Sequence, residues 1–185
     1  MQGKLFYLMG ASGSGKDSLL QGCRELLHPE DRTIIAHRFI TRAAGAGGEN
    51  HIHLTEKEFN MREQSGLFAM HWTSHKHLYG ISSEIDTWLD AGLNVIMNGS
   101  REYLSKALEQ YDQLVPVMIN VDSNLLKKRL INRGRETPQE IEKRLLRHET
   151  LLHEMPEETL FVDNSHSLEE GIQTLMTIIK DNDLG

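Results

Sequence analysis

The chain has 185 residues, enough for one ordinary domain with a substantial core. With 38% apolar and 25% charged residues, and no apolar run near the roughly 20 residues that a bilayer span requires, it is expected to be soluble and without a membrane partner. A formal charge of -7 excludes a broad nucleic-acid footprint, so any anionic ligand must meet a local basic patch.

Along the chain, short apolar runs alternate with amphipathic stretches, and no repeat, low-complexity tract or linker divides them. That order predicts one α/β domain over 1–185, built on a largely parallel sheet with helices on both faces. The opening MQGKLFYLMG is too short, and too soon followed by glycines, for a secretory signal, and 4–9 reads as a buried strand. Cys23 is the only cysteine, which forbids an internal disulfide and fits a cytoplasmic location.

Directly after that strand, GASGSGK (10–16) satisfies G-x-x-x-x-G-K and leads into an amphipathic stretch. Backbone N–H groups of Gly10, Ala11, Ser12, Gly13, Ser14 and Gly15 are expected to face the phosphates of ATP, with Lys16 spanning the β- and γ-phosphates and Asp17 and Ser18 completing the loop. Asp17 stands where such loops place Ser or Thr to meet magnesium. Either its carboxylate, with Ser18, contacts Mg²⁺, or it only favours the helix N-terminus electrostatically.

RTIIAHRF (32–39) predicts the next strand, and AHRFITR places Arg38 and Arg42 at its end. RAAGAGGEN (42–50), rich in glycine, predicts a mobile loop. Thr55 to Glu58 reads as a capped helix start. In FAMHWTSHKHLYG, Trp72 fits core packing or the wall of an acceptor pocket. The pairs His51/His53 and His75/His77 fit polar loops or contacts to sugar hydroxyls or phosphate; a zinc site would need a further, well-spaced ligand set.

LNVIM (93–97) predicts a strand that ends in Asn98 and Gly99 rather than an acid. If the magnesium carboxylate has a counterpart here, it has moved from strand to loop, as Asp17. LVPVMINV (114–121) and TLFVD (159–163) predict two more strands. Between them, 126–148 carries Arg129, Arg133, Arg135, Arg144 and Arg147, crowded about Gly134. Exposed helix arginines are often only solvated, which stays open for Arg129 and Arg147, but crowded arginines repel unless an anion joins them. The segment therefore predicts a lid closing over polyphosphate. Thr137-Pro138-Gln139-Glu140 and Ser167 to Glu170 open two helices with capping boxes.

A hydroxyl acceptor would call for a positioned carboxylate base, whereas a phosphate acceptor arrives ionised and needs alignment and charge screening. No motif singles out a base, so the arginines favour transfer onto a phosphate. These residues resemble the guanylate kinase family across nearly the whole chain: the phosphate loop, ITR followed by GGEN, EKEF, LYG, RLINRGRE, EIEKRL and VDNS. The resemblance implies a five-stranded P-loop kinase core (1–32 and 93–185), an acceptor-binding insert (about 33–92) and a helical lid (about 126–148). It further implies that Arg42 and Tyr79 hold the acceptor phosphate, that Arg133, Arg135 and Arg144 line the transfer zone with Lys16, and that Asn164 sits near adenine.

The chain also departs from that family. Where guanine is read by a glutamate and an aspartate, it has Met70 and the segment NGSR (98–101); a phosphate-binding tyrosine is replaced by Ile52, and a second arginine by Gly45. MGASGSGKDSLL, AHRFITR, ENHIHL and VIMNGSR are similar to the branch of the family that acts on ribose 1,5-bisphosphate in phosphonate breakdown. That likeness implies transfer of the ATP γ-phosphoryl to the 1-phosphate of a phosphorylated sugar, with Arg38, Arg42, Tyr79, Ser100 and Arg144 on the acceptor. Two other readings stay open: a nucleoside monophosphate kinase, and a catalytically silent binding module of the same fold.

Overall fold

The computed structural model describes residues 2–44, 49–134 and 136–183. Strand β1 (Leu5–Gly10) leads through the glycine loop into helix α1 (Lys16–Leu26). Strands β2 (Thr33–Ile35), β3 (Arg38–Ile40) and β4 (Ile52–His53) follow, then α2 (Glu56–Gln64), β5 (Phe68–Ser74), β6 (His77–Ser82) and α3 (Glu84–Asp90). The second half runs β7 (Asn94–Asn98), α4 (Leu104–Gln110), β8 (Leu114–Asn120), α5 (Ser123–Arg133), α6 (Pro138–His153), β9 (Leu160–Asp163) and α7 (Leu168–Asp183).

Five parallel strands in the order β2-β7-β1-β8-β9 form the larger sheet. β1 lies at its centre and is buried on both faces, which is why its sequence is continuously apolar. Leu5, Tyr7 and Met9 enter one core layer with Ile85, Leu89, Met97 and Met118. Phe6 and Leu8 enter the other with Leu19, Ile96, Val117 and Leu175. Each such fully buried side chain contributes about 1.5–3 kcal/mol from leaving water. A third cluster, Leu126, Leu130, Ile141 and Leu145, packs α5 against α6.

The strands expected at 4–9, 93–97, 114–121 and 159–163 all occur, displaced at most by one residue. The helix starts also hold. Thr137 accepts from the Glu140 amide while the Glu140 carboxylate accepts from Thr137, and Thr55 and Ser167 accept from the amides of Glu58 and Glu170.

The strand expected over 32–39 is two strands in different sheets. Thr33–Ile35 pairs with β7, and Arg38–Ile40 pairs antiparallel with β6 in a four-stranded sheet of order β4-β3-β6-β5. The apolar run of TIIAHRF does not mark where a strand exchanges one partner for another, because both pairings bury the same kinds of side chain. The loop expected over 42–50 falls partly on 45–48, outside the described residues; Arg42 to Ala44 and Glu49 to Asn50 carry neither helix nor strand.

Candidate active site

A cleft of about 1030 Å³ opens at the carboxyl ends of β1 and β7, between the glycine loop, the smaller sheet and the α5–α6 pair. Its donor wall is built largely of backbone. Gly13 and Gly15 have φ of 90° and 92°, left-handed values that glycine adopts without steric cost. A Cβ on Gly15 would also stand 2.3 Å from Asn164 Nδ2. Asn164, buried after β9, donates from Nδ2 to the Ser14 carbonyl at 2.7 Å. Arg129 donates to the carbonyls of Ser14 and Asn164 at 3.4 and 3.1 Å. The loop is thus tied to α5 and to the end of β9, and Asn164 meets loop backbone directly.

Lys16 donates from Nζ to the Gly10 carbonyl at 2.9 Å. Burial pulls its pKa down to about 8, and the Asp17 carboxylate beside it opposes that shift. Asp17 faces β7, where Asn98 Nδ2 donates to its Oδ1 at 3.3 Å. Asn98 is buried, and its Oδ1 has no hydrogen-bond partner among the described residues. Burial raises the Asp17 pKa, with Lys16 opposing. A desolvated carboxylate beside an unpaired carbonyl oxygen suits a hard, partly hydrated cation such as Mg²⁺, which usually takes one or two protein carboxylates and completes its shell with phosphate and water. Ser18 is exposed at the same corner. Among the described residues, no three His, Cys, Asp or Glu side chains gather as a metal-holding group.

The acceptor wall is built of side chains. Arg38 makes a two-pronged pair with Glu49, Nε to Oε1 at 2.5 Å and Nη2 to Oε2 at 2.6 Å, and Arg42 donates to Oε2 at 3.0 Å. Burial disfavours the Glu49 charge, but Arg38 and then Arg42 outweigh it and hold the carboxyl below its usual pKa. The Arg38 guanidinium lies over the Tyr79 ring at 5.0 Å, Tyr79 stacks on Trp72 at 5.7 Å, and Trp72 meets Tyr103 at 5.5 Å. Trp72 therefore does both things its sequence allows: it packs on the core and lines the cleft.

Glu49 was not foreseen as a site residue. Its signals were a lone carboxylate after a glycine loop and its place in the GGEN and ENHIHL runs that carry the resemblance.

The histidine pairs part ways. The ring nitrogens of His51 lie 3.0 Å from the carbonyls of Glu49 and Arg42, and His53 Nδ1 lies 2.9 Å from the same Arg42 carbonyl, so this pair shapes the backbone that presents Arg42. His75 and His77 line the cleft at the tip of the β5–β6 hairpin. There His75 and Lys76 both take positive φ, 46° and 65°, as a two-residue hairpin turn of the primed type demands, although neither is the usual Asn or Gly.

Over the cleft, Arg133 donates to Ser12 Oγ at 3.0 Å, Arg144 pairs with Glu136 at 3.3 Å, and Arg147 pairs with Glu102. Arg135 lies outside the described residues. Arg147 thus links α6 to the turn after β7 and is not merely solvated. In that turn Ser100 and the buried Tyr7 exchange hydrogen bonds: Tyr7 Oη donates to the Ser100 carbonyl at 2.8 Å and accepts from its amide at 3.0 Å. Met70, at the position where a base-reading glutamate was sought, is fully buried in the core.

Every described residue of the expected site therefore lies on or beside one cleft, with residues of the glycine loop, of the smaller sheet and of the α5–α6 pair on separate walls. Residues 2–182 match the guanylate kinase family. Among curated proteins, the chain is 51% identical to a ribose 1,5-bisphosphate phosphokinase PhnN of Desulfomicrobium baculatum, over 95% of this chain and 94% of that one. It is 48% identical to the protein of the same name from Psychromonas ingrahamii, over 97% and 91%. Among solved structures, a guanylate kinase from Anaplasma phagocytophilum superimposes with a TM-score of 0.74 at 16% identity, over 100% of this chain and 88% of that one, a likeness of fold.

Proposed function

The chain belongs to the guanylate kinase family, and from that membership we propose that it transfers the γ-phosphoryl of ATP to the 1-phosphate of ribose 1,5-bisphosphate, giving 5-phospho-α-D-ribose 1-diphosphate and ADP. Its relatives carry the ribose 1,5-bisphosphate phosphokinase name over nearly the whole chain. The structural observation that supports the reading is the cleft itself. One wall is a phosphate loop, and the other gathers Arg38 and Arg42 around Glu49, whose carboxylate they already occupy.

The smaller sheet acts as the acceptor insert, and α5 with α6 act as the lid. Gly10 to Lys16 hold the donor phosphates at the N-terminus of α1, where the helix dipole adds about half a positive charge. Arg133 and Arg144 screen the transferring group, a role that the family resemblance extends to Arg135. Arg38, Arg42 and Tyr79 receive the acceptor's 1-phosphate, so Glu49 must give up the two guanidinium groups as that phosphate arrives. An oxygen of the 1-phosphate forms the new bond to the γ-phosphorus while the bond to the β-bridging oxygen breaks, and ADP leaves. No general base is required, because the acceptor oxygen is already ionised. Asp17, with Ser18, would hold Mg²⁺, which when bound would supply charge screening for the transfer. A cytoplasmic location belongs to the same reading, in keeping with the buried, unpaired Cys23.

Coupled ADP release tests this. Ribose 1,5-bisphosphate is expected to be turned over, with GMP at least 100-fold poorer, about the loss when a site lacks the polar partners a base demands. Equal or better turnover of GMP would make the protein a nucleoside monophosphate kinase. No binding of ATP at all would leave a silent binding module.

A further inference from the structure

Arg101 has no role in the scheme so far, and its surroundings ask for one. It follows Ser100 in the turn after β7 and lines the cleft. Its Nη1 is buried and has no hydrogen-bond partner among the described residues. The charged groups near it give little relief: Arg147 from α6 repels it, Lys16 is a further cation within electrostatic reach, and Glu102, its neighbour, is exposed and already paired with Arg147. His148, buried on α6, is held below its usual pKa, first by burial and then by Arg101, and an imidazole, neutral or cationic, offers a guanidinium no counter-charge in either form. A guanidinium cannot shed its proton to escape this, so the charge remains as an unmet demand for an anion.

The turn is also rigid. Tyr7 clamps Ser100 through two hydrogen bonds, and Gly99 lies so close to the Tyr7 ring that a Cβ there would sit 2.1 Å from it. Two residues beyond Arg101, Tyr103 meets Trp72, which stacks on Tyr79 beneath Arg38. Arg38 and the Arg101 turn therefore stand at opposite ends of one aromatic floor.

Resting on the reading above, we infer that Arg101 binds the 5-phosphate, the second and non-reacting phosphate of the acceptor, and so selects a bisphosphorylated sugar over a monophosphate. The cationic groups then divide by task. The loop, Lys16 and Arg133 serve the triphosphate, Arg38 and Arg42 serve the accepting phosphate, and Arg101 serves the phosphate that distinguishes this substrate. The sugar between the two ends lies over the Trp72 and Tyr79 rings.

Ribose 5-phosphate, which has the distal phosphate and lacks the accepting one, isolates this contact by calorimetric titration. The wild-type protein is expected to bind it, Arg101→Met to bind about 10- to 100-fold more weakly, the scale of one charge-assisted contact, and Arg101→Lys to recover part of the loss. Equal affinity in wild type and Arg101→Met, absent binding to the wild type, or a loss confined to ATP titrations would each overturn the assignment. Turnover of ribose 1,5-bisphosphate by the wild type, measured alongside, tests the parent reading separately. If turnover is absent while Arg101→Met still loses ribose 5-phosphate, the sugar-phosphate site stands and the reaction does not.

Discussion

The two walls of the cleft hold anions by different means. On the proposed donor wall the candidates are backbone amides and Lys16, set by glycine geometry and pinned from behind by Asn164 and Arg129. On the proposed acceptor wall the candidates are the Arg38 and Arg42 side chains, four residues apart on one segment and held by the Glu49 carboxylate, which an incoming phosphate would have to displace. A backbone cradle is ready before its ligand arrives. A side-chain cradle neutralised by its own acid must exchange one anion for another, which favours a doubly charged phosphate over a singly charged carboxylate.

Four experiments press on that contrast. The largest effect is expected from Lys16→Met, which removes the lysine charge of the donor wall: kcat should fall about 10²- to 10³-fold while ribose 5-phosphate binding, an acceptor-wall property, holds. A comparable loss of acceptor binding would mean that the walls are not separate.

Next is Glu49→Gln, which leaves Arg38 and Arg42 mostly buried without their counter-charge. Stability should drop by about 3 kcal/mol in denaturant unfolding, and inorganic phosphate should restore more of it than it adds to the wild type. Because the folded-state pKa of Glu49 is depressed, its contribution is present above the ordinary glutamate pKa and is lost as pH falls through the lower folded value. Glu49→Gln should therefore flatten the acid limb of the stability profile. An unchanged limb would remove Glu49 from its central place on that wall.

A smaller change is expected from Asp17→Ser, about a tenfold rise in the Mg²⁺ concentration giving half-maximal rate. An unaltered magnesium titration would reduce Asp17 to a helix N-terminal charge. The mildest test is pH. Lys16, at about 8, is protonated below that value and neutral above it, so ATP affinity should fall with rising pH above 8, by at most about tenfold per unit. Lys16→Met should remove the dependence. For stability the sign is opposite: between about 8 and the ordinary lysine pKa the unfolded chain binds more protons, so Lys16 makes folding more favourable as pH rises.

The same contrast explains what could be read in advance. The donor wall was legible because one contiguous run, GASGSGK, carries both its ligands and its backbone geometry. Helix starts at Thr55, Thr137 and Ser167 were legible for the same reason, since a cap is a contract between residues three apart. Glu49, Arg101 and Glu136 were not, because a charged residue in a loop looks alike whether it faces water or a buried partner. Nor did the sequence reveal that 32–39 serves two sheets.

The sequence by itself determined a parallel α/β core, a phosphate loop and an arginine-rich stretch over 126–148, since each rests on a pattern within one segment; the expectation of an acceptor without base-reading acids rested on the family resemblance. Only the tertiary structure decided that Asn164 and Arg129 brace the loop, that Asp17 meets Asn98, that Glu49 occupies Arg38 and Arg42, and that Arg101 Nη1 has no hydrogen-bond partner among the described residues. Those pairings join residues from about 7 to 150 positions apart. Which of them form is settled by the packing of sheets and helices, through burial that makes an unpaired charge costly and a paired one stable.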